Sequence, residues 1–117
     1  MSIASGLDIG PFELKTLNVA LVVDTKPGAY ILGEENSKGG ITVSYVGRAD
    51  KDLRDRLLQH AREGTYQHFK CHYTADARAA YLLECKLFHL FGGTALLANE
   101  IHPDRPIGHA GSCPHCP

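Results

Sequence analysis

The sequence predicts an α+β fold in which a small β-sheet is covered by helices. Residues 41–46 and 66–73 alternate between apolar and polar side chains, as strands with one buried face do. Residues 53–61 and 77–91 carry apolar side chains three and four positions apart, which is the spacing of an amphipathic helix. Strand and helix patterns that follow one another along a single chain indicate a mixed fold.

The N-terminal part of the chain is less regular. Residues 1–13 contain Gly and Pro and are expected to form a loosely held arm. Residues 17–23 are apolar and rich in valine, which fits a buried strand or a fragment of a helix. Ala29–Leu32 is typical of a short strand, and the Gly-rich loop 33–40 connects it to the strand at 41–46, so these two strands predict a β-hairpin.

Residues that begin and end helices flank both helical segments. Asp50 or Asp52 can cap the first helix and Gly64 can end it, because an aspartate accepts backbone N–H groups and glycine adopts a left-handed backbone. Asp76 precedes the second helix, and two glycines follow it. Beyond Asn99 the periodicity is lost, and the Pro, His and Gly content predicts an irregular tail.

The composition is that of one globular domain. The chain has 117 residues, 44% of them hydrophobic and 21% charged, which is enough for one core and too little for two. No apolar run is long enough to span a bilayer, and the N-terminus lacks the basic and apolar regions of a secretory signal. We therefore expect a cytoplasmic protein without a membrane partner, whose four cysteines are free thiols or metal ligands rather than disulfides.

The charge pattern is suited to weak or transient binding of nucleic acid. The formal net charge is −1, whereas proteins that coat nucleic acid are usually strongly basic, because they must neutralise phosphates. The charge is uneven, however, and the segment that leads into and through the first predicted helix is rich in basic residues. A local basic face is therefore expected, formed by Arg48, Lys51, Arg54, Arg56 and Arg62.

Glu84 is the most informative single residue. At helical spacing its neighbours are Ala80, Tyr81, Leu87 and Phe88, so the carboxylate emerges from the apolar face that should pack against the sheet. A carboxylate in such a place needs a cationic partner, a hydrogen-bond network or a metal ion. Pairing with a core arginine fits this pattern, and so does binding of Mg²⁺, which takes one or two carboxylates and keeps water and phosphate as its other ligands.

Four further residues could act on a phosphate. Arg56 and His60 lie one helical turn apart; an arginine can bind phosphate through two hydrogen bonds, and a histidine can move a proton near neutral pH. A solvated helix face with a chance pair explains them at least as well. Tyr30 and Tyr45 fall on the two strands of the predicted hairpin, where tyrosines usually fill a half-buried surface, although their hydroxyls could also hold a water beside a phosphate.

Five short segments follow one another along the chain in a characteristic order. They are Pro27-Gly28-Ala29-Tyr30, Tyr45-Val46-Gly47, the helical segment Arg48–His60, Ala79–Glu84 and Leu97-Ala98-Asn99. Their order resembles that of the GIY-YIG nuclease family: paired Gly-Ile-Tyr and Tyr-Ile-Gly motifs, a helix with Arg followed one turn later by His or Tyr, a helix that presents a metal-binding Glu, and a trailing Asn. The resemblance covers residues 27–100.

The resemblance implies a fold and an activity. The fold is a small three-stranded, mostly antiparallel sheet flanked by helices at 27–100. Outside the range of the resemblance, residues 1–26 are expected to form an arm, with an extra strand as one option, and residues 101–117 the Cys/His-containing tail. The activity is hydrolysis of phosphodiester bonds in DNA, with RNA as the alternative substrate, and the implied cofactor is Mg²⁺ or Mn²⁺.

The resemblance also assigns roles to individual side chains. Glu84 would bind the divalent cation, Arg56 would stabilise the charge of the transition state, and Tyr30 would align a water whose proton Tyr45 and His60 help to remove. The full implied catalytic set is Tyr30, Tyr45, Arg56, His60, Glu84 and Asn99, and the implied substrate-binding residues are Arg48, Lys51 and Arg54.

Two residues depart from the family pattern. Ala29 replaces a large aliphatic residue in the first motif, where it is expected only to pack. Arg48 stands where many members have Lys. Because arginine keeps its proton, Arg48 cannot act as a base, and His60 is the better candidate.

The tail contains Cys113-Pro-His-Cys116, which has the spacing of half a tetrahedral zinc site. The candidates for the other two ligands are Cys71, His72, His109 and His115, while Cys85 is expected to pack within its helix. A free tail, a redox pair or a site shared between two chains would also account for the cysteines. Structural Zn²⁺ would pin the tail and stabilise a small domain.

Two other functions fit the sequence as well. One is a catalytically weak nucleic-acid-binding module on the same scaffold, and the other is a zinc-stabilised interaction protein whose working surface is the tail. A single small domain offers little surface for reading bases, so specificity is expected from a protein partner, a homodimer or the shape of the DNA.

Overall fold

The computed structural model describes residues 7–106, 108 and 112–116, and over these residues the fold is α+β with four strands and four helices. In chain order the elements are β1 (Ile9–Glu13), α1 (Thr16–Val22), β2 (Gly28–Glu35), β3 (Ile41–Ala49), α2 (Leu53–Glu63), β4 (His68–Tyr73), α3 (Ala77–Leu90) and α4 (Gly93–Leu96). The strands form an antiparallel sheet in the order β1-β4-β2-β3. The predicted α+β class is confirmed, but the sheet has four strands where three were expected.

Helices cover both faces of the sheet. On one face α1 and α2 pack over a cluster that includes Tyr30 and Leu32, and on the other α3 packs over a cluster that includes Ala29 and Ile31. Alternate residues of β2 thus enter different clusters, and every residue from Gly28 to Gly33 is buried. A strand buried on both faces shows no apolar–polar alternation, which is why the sequence pattern identifies only part of it.

Residues 17–22 form part of α1, so the helix alternative is correct and the strand prediction is wrong. Val19 and Val23 lie one helical turn apart and are buried, whereas Leu17 and Leu21 are 69% and 75% exposed. A spacing of four residues between buried side chains is helical, and packing against α2 therefore outweighs the β-propensity of the valines.

The extra strand is β1, which lies within the segment that was expected to be a loose arm. It pairs with β4 alone, at the edge of the sheet, and its register is irregular between Ile9 and Phe12. Edge strands and irregular positions are where a sheet tolerates Gly and Pro, so Gly10 and Pro11 do not prevent pairing. The sequence could not reveal this strand because its partner is far away along the chain.

The helix ends largely follow the sequence. Asp52, rather than Asp50, is the N-cap of α2, and its side chain accepts a hydrogen bond from the Asp55 backbone N–H at 2.9 Å. Gly64 ends the helix in the left-handed conformation with φ 72°. Asp76 caps α3 by accepting from the backbone N–H of Ala79. In the described part of the chain, no helix is long and apolar enough to cross a membrane.

Tyr30 of β2 lies directly opposite Gly47 of β3. The tyrosine ring crosses the place where a side chain at position 47 would stand, so that an added Cβ would overlap the ring and its hydroxyl. The tyrosine of the first motif and the glycine of the second therefore form one packing unit.

We predict that Gly47→Ala lowers the free energy of unfolding by about 1–3 kcal/mol, because the new methyl group must displace the buried ring. At an unstrained site, Gly→Ala stabilises the folded protein by about 0.4–1 kcal/mol, because alanine lowers the conformational entropy of the unfolded chain. The sign of the change in unfolding free energy therefore tests the contact. Urea unfolding measures it, with Thr42→Ala as a control at an exposed position of the same strand. A stability that is equal to or above that of the wild type would contradict the contact.

Candidate functional site

Two adjoining clefts are formed by residues of β2, β3, α2 and α3. The Glu84 cleft has a volume of about 180 Å³ and is lined by Tyr30, Tyr45, Gly47, Arg48, Asp50, Arg56 and Glu84. The His60 cleft, of about 370 Å³, is lined by Tyr45, Arg56, Gln59, His60, Glu63, Thr65 and Tyr66. Since Tyr45 and Arg56 line both, the clefts are neighbours, and five of the six implied catalytic residues meet here.

Arg48 connects the two carboxylates of the Glu84 cleft. Its Nη1 lies 2.7 Å from Glu84 Oε1 and its Nε lies 2.7 Å from Asp50 Oδ1. The guanidinium also lies over the ring of Tyr81, 5.3 Å from the ring centre. Glu84 thus has the arginine partner that a structural role requires, and it still lines a cleft.

Burial acts in opposite ways on the two partners. It raises the pKa of Glu84, which is 8% exposed, although the hydrogen bond and the charge of Arg48 oppose the rise. Burial also acts to lower the pKa of Arg48, but the bonds with Asp50 and Glu84 outweigh it and the pKa is raised. Arg48 therefore stays cationic, and the carboxylate is held at a cost in desolvation that the arginine offsets in part.

Tyr30 and His60 form the hydrogen bond between the clefts, with 2.8 Å from Tyr30 Oη to His60 Nε2. Burial raises the pKa of Tyr30 and lowers the pKa of His60, so the phenol and the neutral imidazole are the favoured forms. Tyr30 then donates its proton towards Nε2, and the ring proton lies on Nδ1. Tyr45 packs near the same imidazole, with 5.4 Å between ring centres, and burial raises its pKa too.

Glu63 is a member of this site that the sequence analysis missed. Its Oε1 lies 3.5 Å from His60 Nδ1, within ion-pair distance, yet Nδ1 makes no hydrogen bond and is buried. The two residues lie one turn apart on α2, and that spacing was the signal that could have identified Glu63. Asp50 was likewise considered only as a helix cap.

The remaining predicted residues are placed differently. Asn99 lies at the edge strand β3, where its side chain accepts from the Val46 backbone N–H at 3.0 Å and donates to the Val46 carbonyl at 2.7 Å. It braces the strand and does not line either cleft. Arg54 donates to the backbone carbonyl of Val23 at 2.7 Å, whereas Lys51 is exposed. The predicted basic face therefore contains both a structurally engaged residue, Arg54, and a solvent-facing residue, Lys51.

The tail brings a second group together, and none of its members lines either cleft. His89, His102, Cys113 and Cys116 each place one ligand atom within 4.8 Å of the others, close enough to hold a metal ion. The predicted cysteines therefore belong to a candidate metal site, and its histidines were missed because neither lies near the CxxC sequence. Within the described ranges it is the one such group of three or more His, Cys, Asp or Glu residues.

The other candidate zinc ligands do not belong to this group. Cys71 is buried in the core of the sheet, and His72 is hydrogen bonded to Asp8 at 2.8 Å. His115 lies beside His89, with ring centres 6.3 Å apart, but outside the group. His109 lies outside the described residues. Cys85 is buried within α3, as expected.

Comparison of the chain with protein-family models, with curated proteins and with solved structures finds no match. Function must therefore be inferred from the geometry of the two clefts and the tail group.

We predict that Arg48→Met lowers the free energy of unfolding by about 3–5 kcal/mol near neutral pH, because Glu84 is left buried without a cationic partner. Without Arg48 the folded-state pKa of Glu84 rises further above its unfolded value. The folded state then binds the proton more tightly, so the lost stability returns as the pH falls through that raised pKa.

Urea unfolding of the variant and the wild type at neutral and mildly acidic pH measures this difference. Arg48→Met combined with Glu84→Gln should recover much of the loss and remove its pH dependence, and exposed Arg62→Met is the control for loss of a positive charge. An equal, pH-independent loss in the single and double variants would show that the ion pair is not its cause.

Proposed function

We propose that the chain is a divalent-metal-dependent endonuclease of the GIY-YIG type that hydrolyses phosphodiester bonds in DNA. The observation that supports this most is the convergence of five groups on two adjoining clefts: a buried carboxylate, two tyrosine hydroxyls, an arginine and a neutral histidine. Phosphodiester hydrolysis needs a cation, an activated water and a stabilised anionic transition state, and these groups can supply each of them.

The carboxylates of the Glu84 cleft fit a hard divalent cation. Glu84 and Asp50 offer oxygen ligands, and Mg²⁺ or Mn²⁺ completes its coordination with water and substrate phosphate. When bound, the ion would supply positive charge to the scissile phosphate. Arg48 now holds both carboxylates, so it would have to exchange them for the phosphate, which an arginine binds equally well.

The Tyr30–His60 pair is suited to activating water. A water beside Tyr30 can give a proton to Oη while Tyr30 passes its own proton to His60 Nε2 across 2.8 Å. The transfer avoids a free tyrosinate, which burial makes costly. The imidazolium that forms has Glu63 Oε1 3.5 Å from Nδ1, and that carboxylate stabilises its charge.

Arg56 and the net charge of the chain determine how the protein can bind a nucleic-acid substrate. Arg56 is exposed and lines both clefts, which suits contact with a phosphate and with the charge that develops on it. A net charge of −1 gives the domain little affinity for nucleic acid by itself. We therefore propose that a protein partner or a second copy of the chain contributes the specificity.

A second function is favoured by one observation, the Arg48 bridge. Arg48 neutralises both carboxylates of the cleft, as expected for a scaffold that binds nucleic acid and has lost turnover. Binding without cutting would then be seen with every substrate and metal.

We predict metal-dependent cutting by the wild type and a loss of at least about 100-fold in Glu84→Gln. The panel holds supercoiled, linear, single-stranded, flapped and branched DNA and single-stranded RNA, each with Mg²⁺, Mn²⁺ or EDTA. Glu35→Gln, at the exposed tip of the hairpin, is the matched control and should cut normally. Cutting that survives Glu84→Gln, or no cutting at all, would reject the proposal, and binding without cutting would favour the scaffold.

We also predict an acid limb in the pH profile of cutting. The reaction needs neutral His60, and burial lowers the pKa of His60 below its reference value of 6.5. The single-turnover rate should therefore be constant near neutral pH and fall about tenfold per pH unit below that lowered pKa. His60→Gln should remove the limb together with most of the rate, whereas His72→Gln, near the far edge of the sheet, should keep both. A limb that persists in His60→Gln would assign it to another group.

A further inference from the structure

The tail group joins three separate parts of the chain. His89 lies in the last turn of α3, His102 lies in the segment after α4, and Cys113 and Cys116 come from the CxxC sequence of the tail. Cys113 is buried against Tyr81 and Cys85 of α3, while Cys116 is exposed. Two imidazoles and two thiols therefore converge where the tail folds back on the helix.

The distances among the ligand atoms of His89, His102 and Cys116 match the edges of a tetrahedral site, and the Cys113 sulfur lies within 4.8 Å of all three. Zinc–nitrogen bonds of about 2.0–2.1 Å and zinc–sulfur bonds of about 2.3 Å give tetrahedral edges of roughly 3.4 Å for N···N and 3.6 Å for N···S. His89 Nε2 and His102 Nε2 are 3.2 Å apart. Cys116 Sγ lies 3.5 Å from the first and 3.2 Å from the second.

The orientation of His102 suits a metal ligand. His102 Nδ1 lies 2.8 Å from the carbonyl oxygen of Pro103, and since a carbonyl can only accept, Nδ1 carries a proton. In the neutral ring His102 Nε2 is then a bare lone pair, directed at His89 Nε2 and Cys116 Sγ. A backbone carbonyl on Nδ1 is also the usual way in which a metal-binding histidine is oriented.

Cys113 and His102 are both held in place by contacts with α3. Cys113 packs against Tyr81 and Cys85 of α3, so its sulfur is held in place on the helix. His102 also packs edge-on against Phe88, with ring centres 5.1 Å apart, so its orientation is fixed by the core of α3.

We infer that His89, His102, Cys113 and Cys116 bind one structural zinc ion that clips the tail onto α3. Two nitrogen and two sulfur ligands suit zinc better than the hard cations of the Glu84 cleft. Four protein ligands close the coordination sphere and leave no position for a substrate, so the ion is structural rather than catalytic. The inference does not depend on nuclease activity, because metal content and spectra test it.

The experiment uses the full chain, purified without chelator from zinc-supplemented medium. Metal analysis should find about one zinc per chain. Cobalt exchanged into the site should give the strong visible bands of tetrahedral coordination and the thiolate-to-cobalt absorption of the near ultraviolet. Removal of zinc by a chelator should lower the melting temperature by about 5 °C or more and re-addition should restore it.

Variants separate the ligands from their neighbours. Cys116→Ser changes an exposed ligand and should weaken zinc binding at least about 100-fold, as should His102→Gln. His115→Ala lies between the two cysteines but outside the group and should keep full zinc. Absence of zinc and of the cobalt bands in the wild type, or equal zinc in Cys116→Ser and His115→Ala, would overturn the inference, and so would a Cys113–Cys116 disulfide in the purified chain.

Discussion

Strand β2 lies between β3 and β4 with helices on both of its faces, and its burial decides where polar groups can be placed. Tyr30 is 2% exposed on this strand, so its hydroxyl needs a partner inside the protein. His60 supplies that partner from α2, and Gly47 of the neighbouring strand leaves the space that the ring occupies. The tyrosine–histidine pair is therefore a consequence of how the sheet packs.

Arg48, the residue that follows Gly47 on β3, links the sheet to the helix on its other face. Arg48 reaches Glu84 on α3, which the packing of that helix has already buried. A buried ion pair contributes little net stability, because desolvation of both charges opposes their attraction. What the pair does achieve is to hold a carboxylate and a guanidinium ready beside a cleft, where a phosphate and a cation could separate them.

The sequence predicts local features of this fold well and non-local ones poorly. Helices α2 and α3, their aspartate caps and strands β3 and β4 follow from periodicity, because the residues that decide them are neighbours in the chain. Strand β1 depends on pairing with β4, and the helical state of α1 depends on packing against α2. No local pattern contains that information.

The candidate site likewise contains residues that the sequence predicts and contacts that it does not. The family resemblance, and not a local pattern, groups Tyr30, Tyr45, Arg56, His60 and Glu84, and these residues do line adjoining clefts. Asn99 braces β3 instead, and Arg48, which was predicted to bind substrate, is the counter-ion of Glu84. The Asn99–Val46 and Arg48–Glu84 contacts join segments that are distant in the chain, so no local sequence pattern predicts them.

Helix α3 finally relates the two metal hypotheses to each other. It carries Glu84 towards the sheet and His89 towards the tail, and Tyr81 on the same helix contacts Arg48 and packs with Cys113. Oxygen ligands at one place and nitrogen and sulfur ligands at the other select different ions, so the two sites need not compete. A tail fixed at His89 would keep Tyr81 covered beneath Cys113, and through Tyr81 it would hold the guanidinium that neutralises Glu84.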